Sequence, residues 1–150
     1  MRIYIASDHA GFTLKRKLMD DLNQMGHEVI DMGNTVFDEN DDYPDFIIPL
    51  ARKVSTDAGS LGVVIGKSGN GEAIAANKVK GIYAAICLNK EMAKLAREHN
   101  NANVLALGAG FIDEDAAKTV VETFVQTPFT GDERHVRRLT KITSFESDRV

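Results

Sequence analysis

Cysteine is almost absent: Cys87 is the only one in 150 residues, so the chain cannot be a disulfide scaffold and offers no CxxC pair for metal or redox chemistry. Long apolar runs are missing too, and none approaches the roughly 18–20 residues of a membrane span. The opening Met1-Arg2-Ile3-Tyr4-Ile5-Ala6-Ser7-Asp8 meets an acid before any stretch long enough for a signal-peptide core. Basic charge is scarce, since 18 Lys and Arg against 22 Asp and Glu leave a formal charge of −4. That argues against a general nucleic-acid surface. The expectation is a soluble, cytoplasmic protein with neither membrane nor nucleic acid as partner. What is present is ordinary globular composition, 43% hydrophobic and 27% charged. A chain of this length buries about 68–70% of its unfolded surface, enough for one core. One domain over 1–150 follows, without repeat, linker or low-complexity segment.

Residues 2–7 form a short apolar run before the turn Ser7-Asp8-His9-Ala10-Gly11. Leu14, Leu18, Leu22 and Met25 then recur at spacings of four, four and three, predicting strand, turn and amphipathic helix. Gly26 closes that helix, and 27–32 reads as a second strand before Gly33-Asn34. Five acids fall within 38–45, around Tyr43-Pro44, in a loop entering a helix over 46–54. Residues 61–65 read as a third strand, followed by Gly66-Lys67-Ser68-Gly69-Asn70-Gly71 and a helix over 72–78. A strand over 82–88, a helix over 90–98 and a strand over 103–107 come next. Asp113 caps a helix running to Val125, and a last helix over 131–147 turns Val136, Leu139, Ile142 and Phe145 inward. Strands alternating with helices predict an α/β fold: a doubly wound, Rossmann-like domain with a mostly parallel five-stranded sheet and helices on both faces.

Such sheets bind ligands at the carboxyl ends of their strands, which singles out Asp8 and His9, the 66–72 segment and Gly108 to Gly110. Gly66-Lys67-Ser68 fails as a P-loop, because Leu61 stands where the first glycine is required, and the glycines of 66–71 miss the G-x-G-x-x-G offsets. A glycine-rich turn opening onto a helix N-terminus remains, where amides and dipole favour an anionic oxygen. Glu72, in the first turn of that helix, has two readings: a dipole partner, or a general base beside an anion-stabilising loop in which Ser68 and the amides of Gly69, Asn70 and Gly71 steady an enediolate. Asp8 reads as an N-cap and His9 as a turn residue, with a functional option from their place after a strand. His99 is a dipole partner or a site residue; with Asn100 it precedes a strand, so it joins the other groups only if that helix end is near or another subunit supplies it. Arg134, Arg137 and Arg138 fall within about one helical turn, either as a solvated face or as a clamp for a phosphate monoester. Cys87 reads as an inert core residue.

Six ordered motifs recur together: Ser7-Asp8-His9-Ala10-Gly11, Asp42-Tyr43-Pro44, Gly66 to Glu72, Ala75-Ala76-Asn77-Lys78, Arg97-Glu98-His99-Asn100-Asn101-Ala102-Asn103 and Arg134-His135-Val136-Arg137-Arg138. On these the chain resembles the ribose-5-phosphate isomerase B and galactose-6-phosphate isomerase family from residue 1 to about 145. Gly66 stands where one branch of that family has a cysteine, and Glu72 where the other has its glutamate base. The resemblance implies interconversion of ribose 5-phosphate and ribulose 5-phosphate through a cis-enediolate. Glu72 would move the proton between C1 and C2, Asp8 and His99 would assist ring opening, and Ser68 with the loop amides would hold the enediolate. Tyr43 would line the sugar pocket, and His9, Arg134, His135 and Arg138 would meet the phosphate. It further implies a homodimer, or a dimer of dimers, with sites built from both subunits, a phosphorylated sugar as substrate, and no metal or organic cofactor. Two positions depart from the family: Gly110 replaces an arginine that binds phosphate, and Lys67 replaces a small residue. Lys67 either restores that charge or points to solvent. An isomerase of a tetrose, another pentose or a hexose phosphate therefore stands as an alternative, as does a non-catalytic sugar-phosphate-binding domain.

Overall fold

The computed structural model describes residues 1–148, and among them the alternating pattern resolves into five strands and six α-helices. β1 (Arg2–Ser7) passes through a 3-10 turn at His9–Gly11 into α1 (Phe12–Gln24). There follow β2 (Glu28–Asp31), α2 (Pro44–Thr56), β3 (Leu61–Gly66), α3 (Asn70–Asn77), β4 (Ala84–Ile86), α4 (Lys90–Asn100), β5 (Val104–Gly108), α5 (Glu114–Gln126) and α6 (Glu133–Ser147). Every pairing is parallel and the order is β2-β1-β3-β5-β4. The chain leaves β1 on one side and returns on the other as β3, so the order reverses between them. Loops diverge at such a switch point and leave a crevice. The register sets Ser7 beside Ile65 and Gly66 beside Gly108, which brings the loops after β1, β3 and β5 together at one edge.

Burial follows the alternation of the strands. Ile3, Ile5, Val63, Ile65, Leu105 and Leu107 belong to the core that α1, α4 and α5 cover, whereas Tyr4, Ala6, Val64, Val104 and Ala106 belong to the one under α2 and α3. Coverage on both faces is why these strands read as continuous apolar runs. No helix of the described residues is long and apolar enough to cross a membrane.

Two elements differ from expectation. β4 spans Ala84–Ile86 rather than 82–88, and side chains take over the backbone groups at its entrance: Tyr83 N donates to Asn103 Oδ1 (2.9 Å) and Ala84 N to Asn77 Oδ1 (2.8 Å). In α6 the expected inward stripe is largely outward, with Val136, Ile142 and Phe145 44%, 50% and 63% exposed, and Leu139 half-buried; the buried residue is His135. Amphipathic spacing requires an apolar partner without saying which, and α6 lies outside both layers, tied down by Tyr83 Oη with Thr143 Oγ1 (2.8 Å) and by Gly81 N donating to the Glu146 carboxylate (3.1 Å).

Among the described residues one Lys or Arg is buried. Lys15 of α1 is fully buried and donates to Asp31 Oδ1 at 2.7 Å and to the Asn34 carbonyl at 2.5 Å, fixing the loop after β2 against α1. Lys15→Met leaves Asp31 and that carbonyl without their partner and is expected to lower unfolding stability by about 3 kcal/mol. Exposed Lys17→Met should cost less than about 1 kcal/mol. Urea midpoints of the two variants check this, and equal midpoints would refute it.

Candidate active site

Backbone contacts stitch the loops of the carboxyl edge together. Ala109 N donates to Gly66 O (2.8 Å) and Gly110 N to Lys67 O (2.9 Å). Gly69 turns the chain into α3 with φ +82°, a left-handed conformation glycine adopts without a steric cost. A β-carbon there would also stand 3.1 Å from the Leu107 carbonyl. Asn70 N donates to Ser68 Oγ (3.2 Å), and the first amides of α3 have no intrahelical acceptor, which prepares this end for an anionic oxygen.

Glu72 lies in that first turn and is 4% exposed. Its carboxylate fills the space that a side chain at position 66 would need: a β-carbon added to Gly66 would overlap Oε1 and Cδ and stand 2.5 Å from Oε2. Burial pushes the Glu72 carboxyl above the ordinary carboxylate range; its own backbone amide pulls the other way, and the charge of Asp8 pushes it further up. No cation pairs with it among the described residues. The result is a desolvated carboxylate, a stronger base than one in water.

Asp8 acts as the expected cap, Oδ1 accepting from Ala10 N (3.0 Å) and Gly11 N (3.3 Å), and it is also the charge nearest in effect to Glu72. His9 is held by a residue 32 positions away: its backbone N and its Nδ1 lie 3.0 and 2.7 Å from Asp41 Oδ1. Asn34 Nδ2 donates to the other oxygen of Asp41. Tyr43 stands against the glycine loop, its hydroxyl 2.9 Å from where a β-carbon of Gly71 would lie. Asp8, His9 and Asp41 bring their donor atoms within 4.8 Å of one another, near enough for an ion. His9 Nδ1 and Asp41 already satisfy each other, however, and Asp8 Oδ1 is held by amides, so the cluster is complete as a hydrogen-bonded unit.

The remaining expected residues are elsewhere in the chain. α4 runs from the carboxyl edge back to the entrance of β5, and His99 and Asn100 end it there. The segment leading into α6 is bonded to the same place, Thr130 Oγ1 donating to Glu98 O (2.9 Å). His135 stacks on His99 with ring centroids 4.2 Å apart and planes at 15°. His135 Nε2 is buried without a hydrogen-bond partner, and burial, with His99 next, pushes that imidazole's pKa down. Arg134, Arg137 and Arg138 are exposed. Thus Asp8, His9, Tyr43 and the 68–72 segment share one edge, while His99, Asn100, Arg134, His135 and Arg138 share the other. The five residues of β5 separate them, about 16 Å at 3.3 Å per residue. Within one chain, therefore, the arginine cluster and the carboxylate do not meet.

Lys67 is the one Lys or Arg in the loops that directly follow the five strands. It is exposed and its stem crosses Gly110, with Cγ 3.3 Å from where a β-carbon at 110 would stand. Cys87 is buried as expected, its thiol pushed up to about 12 by desolvation. Sequence reasoning missed Asp41, which looked like one more acid in an acidic loop; no local pattern marks a contact made across 32 positions.

Comparison with known proteins agrees with this geometry. The family model described as Ribose/Galactose Isomerase matches residues 3–142. Ribose-5-phosphate isomerase B of Mycobacterium leprae (strain TN) is 47% identical over 146 residues, covering 97% of this chain and 90% of that protein. Among solved structures, ribose-5-phosphate isomerase B of Clostridium thermocellum superposes with a TM-score of 0.95 at 45% identity, covering 100% of both chains. The Mycoplasma genitalium enzyme with bound ribulose-5-phosphate superposes with a TM-score of 0.94 at 42% identity, covering 98% of this chain and 97% of that one. A match of this extent, with a buried carboxylate at the glycine loop of a parallel sheet's switch point, means that the chain belongs to the ribose/galactose isomerase family.

Proposed function

We propose that this protein is an aldose–ketose isomerase that interconverts ribose 5-phosphate and ribulose 5-phosphate. The observation that carries this reading is the buried, cation-free carboxylate of Glu72 beside the amides of the glycine loop. The ribulose-5-phosphate bound to the M. genitalium relative supports the choice of sugar. After ring opening by Asp8 and His99, Glu72 takes the proton from C2 of the aldose. The C2–H electrons form the C1–C2 double bond, and the carbonyl oxygen becomes an enediolate oxygen held by Ser68 and the amides of Gly69, Asn70 and Gly71. Glu72 returns the proton to C1 while the C2 hydroxyl passes its own proton to the C1 oxygen and becomes the carbonyl, which yields the ketose. Tyr43 lines the sugar, and His9, Arg134 and Arg138 bind the phosphate; His135 backs the ring of His99, and Asn100 borders it.

Because these groups lie at opposite edges of one chain, a complete site takes each edge from a different copy. The exposed apolar side chains Ile74, Leu88, Met92, Val136 and Ile142 provide the surface for that homodimer. A groove of about 860 Å³ between α3, β4 and α6 runs along the free side of the edge strand β4.

Glu72→Gln should lower kcat by about 10²–10⁴-fold, the range for a lost general base. Because the native pKa of Glu72 is raised, the folded state holds its proton between the unfolded and folded pKa values where the unfolded chain has lost it, so stability falls as pH rises through that window, and above it the folded state buries a charge that the unfolded chain keeps in water. The same variant should therefore raise the thermal midpoint at pH 7, measured by calorimetry. Undiminished turnover would remove Glu72 from the role. Gly66→Ala, which forces the carboxylate aside through a flexible side chain, is expected to fold normally yet lose at least about 10²-fold in kcat. Wild-type rates from that variant would show that the carboxylate's placement is irrelevant. Finally, Glu72→Gln and His99→Asn chains, each nearly inactive alone, should recover about a quarter of wild-type activity when refolded together, because half of randomly mixed dimers are mixed and each of those holds one intact site. No recovery would place both residues in one chain's site.

A further inference from the structure

The loop at the mouth of this site carries Asp38, Glu39, Asp41 and Asp42, and Asp45 follows in the first turn of α2, an odd lining for a pocket that admits a phosphate dianion. The contacts of Asp41 resolve the conflict. Its side chain is 6% exposed, and its two oxygens meet three donors: His9 N, His9 Nδ1 and Asn34 Nδ2. Asn34 is anchored in turn, its carbonyl accepting from the fully buried Lys15, which also holds Asp31. A continuous line of hydrogen bonds thus runs from the core of α1 to the ring of His9, which is 38% exposed at the other end.

We propose that Asp41 is the positioning residue for phosphate recognition: it takes the Nδ1–H of His9, fixes the ring, and leaves Nε2–H as the donor to the substrate's phosphate. This rests on the reading above that His9 meets the phosphate. A carboxylate 2.7 Å from Nδ1 requires a proton on that nitrogen. Neutral His9 then presents Nε2 as an acceptor, which a phosphate oxygen repels, whereas the cation presents a donor. Binding therefore needs the imidazolium, and Asp41 favours it. The charged groups around the ring act in the same direction: the hydrogen bond to Asp41 raises the His9 pKa most, partial burial opposes it, and the charges of Asp8, Asp41 and Asp38 raise it further. Substrate phosphate is a dianion above pH about 6, so tight binding spans the interval from there up to the raised pKa of His9 and fades as pH climbs past it.

The test measures KM and kcat for ribose 5-phosphate from pH 6 to 9 in the wild type, Asp41→Asn, His9→Gln and the double variant. Asp41→Asn should raise KM at pH 8 by about tenfold or more, the effect of weakening one charge-assisted hydrogen bond. Its kcat should stay within about threefold, and the alkaline rise in KM should move to lower pH. In the His9→Gln background the added Asp41→Asn change should have no further effect on KM. A full effect of Asp41→Asn in that background, or an unchanged profile in the single variant, would overturn the assignment. Nitrogen NMR of His9 in the wild type, titrated with inorganic phosphate, gives a second measurement that needs no variant to fold: Nδ1 should stay protonated throughout, and a neutral ring with its Nδ1 unprotonated would refute the proposal. If the wild type turned over no sugar phosphate, the proposed function would fail, while the same His9 titration would still decide the role of Asp41.

Discussion

A carboxylate buried without a counter-ion among the described residues is the constraint around which this structure is organised. Left in water Glu72 would be a weak base, and paired with an arginine it would be weaker still; desolvation strengthens it at the expense of the fold. The surrounding backbone makes that arrangement possible. Gly66 supplies volume for the carboxylate that any larger residue would claim, and the parallel register of β3 with β1 and β5 places the vacant β-carbon position beside the two neighbouring loops. The base is thus a property of two residues six positions apart, one defined by the side chain it carries and the other by the one it lacks.

The same edge shows how acids can serve a site for anions. Asp8 raises the affinity of Glu72 for a proton while capping the turn that carries His9, and Asp41 is turned inward to hold that histidine. Net charge alone would have predicted repulsion of a dianion; geometry decides the matter, because Asp8 accepts from backbone amides and Asp41 from a backbone amide, an imidazole and the side-chain amide of Asn34.

The topology was legible in the sequence because periodicity changes between apolar runs and helical spacing, and a buried parallel sheet demands both. Glu72 and the glycine loop were legible for a related reason: they are contiguous, so a strand, a turn and a helix start place them without any tertiary knowledge. Asp41 was not, since its partner is 32 residues away and nothing local distinguishes it from Asp38 or Asp42. The stripe of α6 was legible as a stripe but not as to what it meets. Val136, Ile142 and Phe145 have helical spacing whether the apolar surface opposite belongs to the same chain or to a second copy. His135, for which the resemblance implies a phosphate contact, is the most buried residue of its helix, its flat ring stacked on His99, a placement that spacing along α6 does not reveal.

Separation of the two charge sets suits the chemistry proposed for them. An arginine near the glycine loop of the same chain would find Glu72 at once, and an ion pair there would lower the carboxyl's pKa and cost the base its strength. Holding Arg134 and Arg138 at the opposite edge, beyond the length of β5, prevents that pairing during folding and in the isolated chain. In the proposed two-copy site the substrate would itself space the groups, since the phosphate and the C1–C2 bond of a pentose phosphate are at opposite ends of a five-carbon chain. Cations then reach the phosphate without reaching the base. An acidic chain with one basic helix on its far side is what such a division requires, and on the proposed reading assembly from two copies is a means of keeping a strong base and strong cations in one pocket without mutual neutralisation.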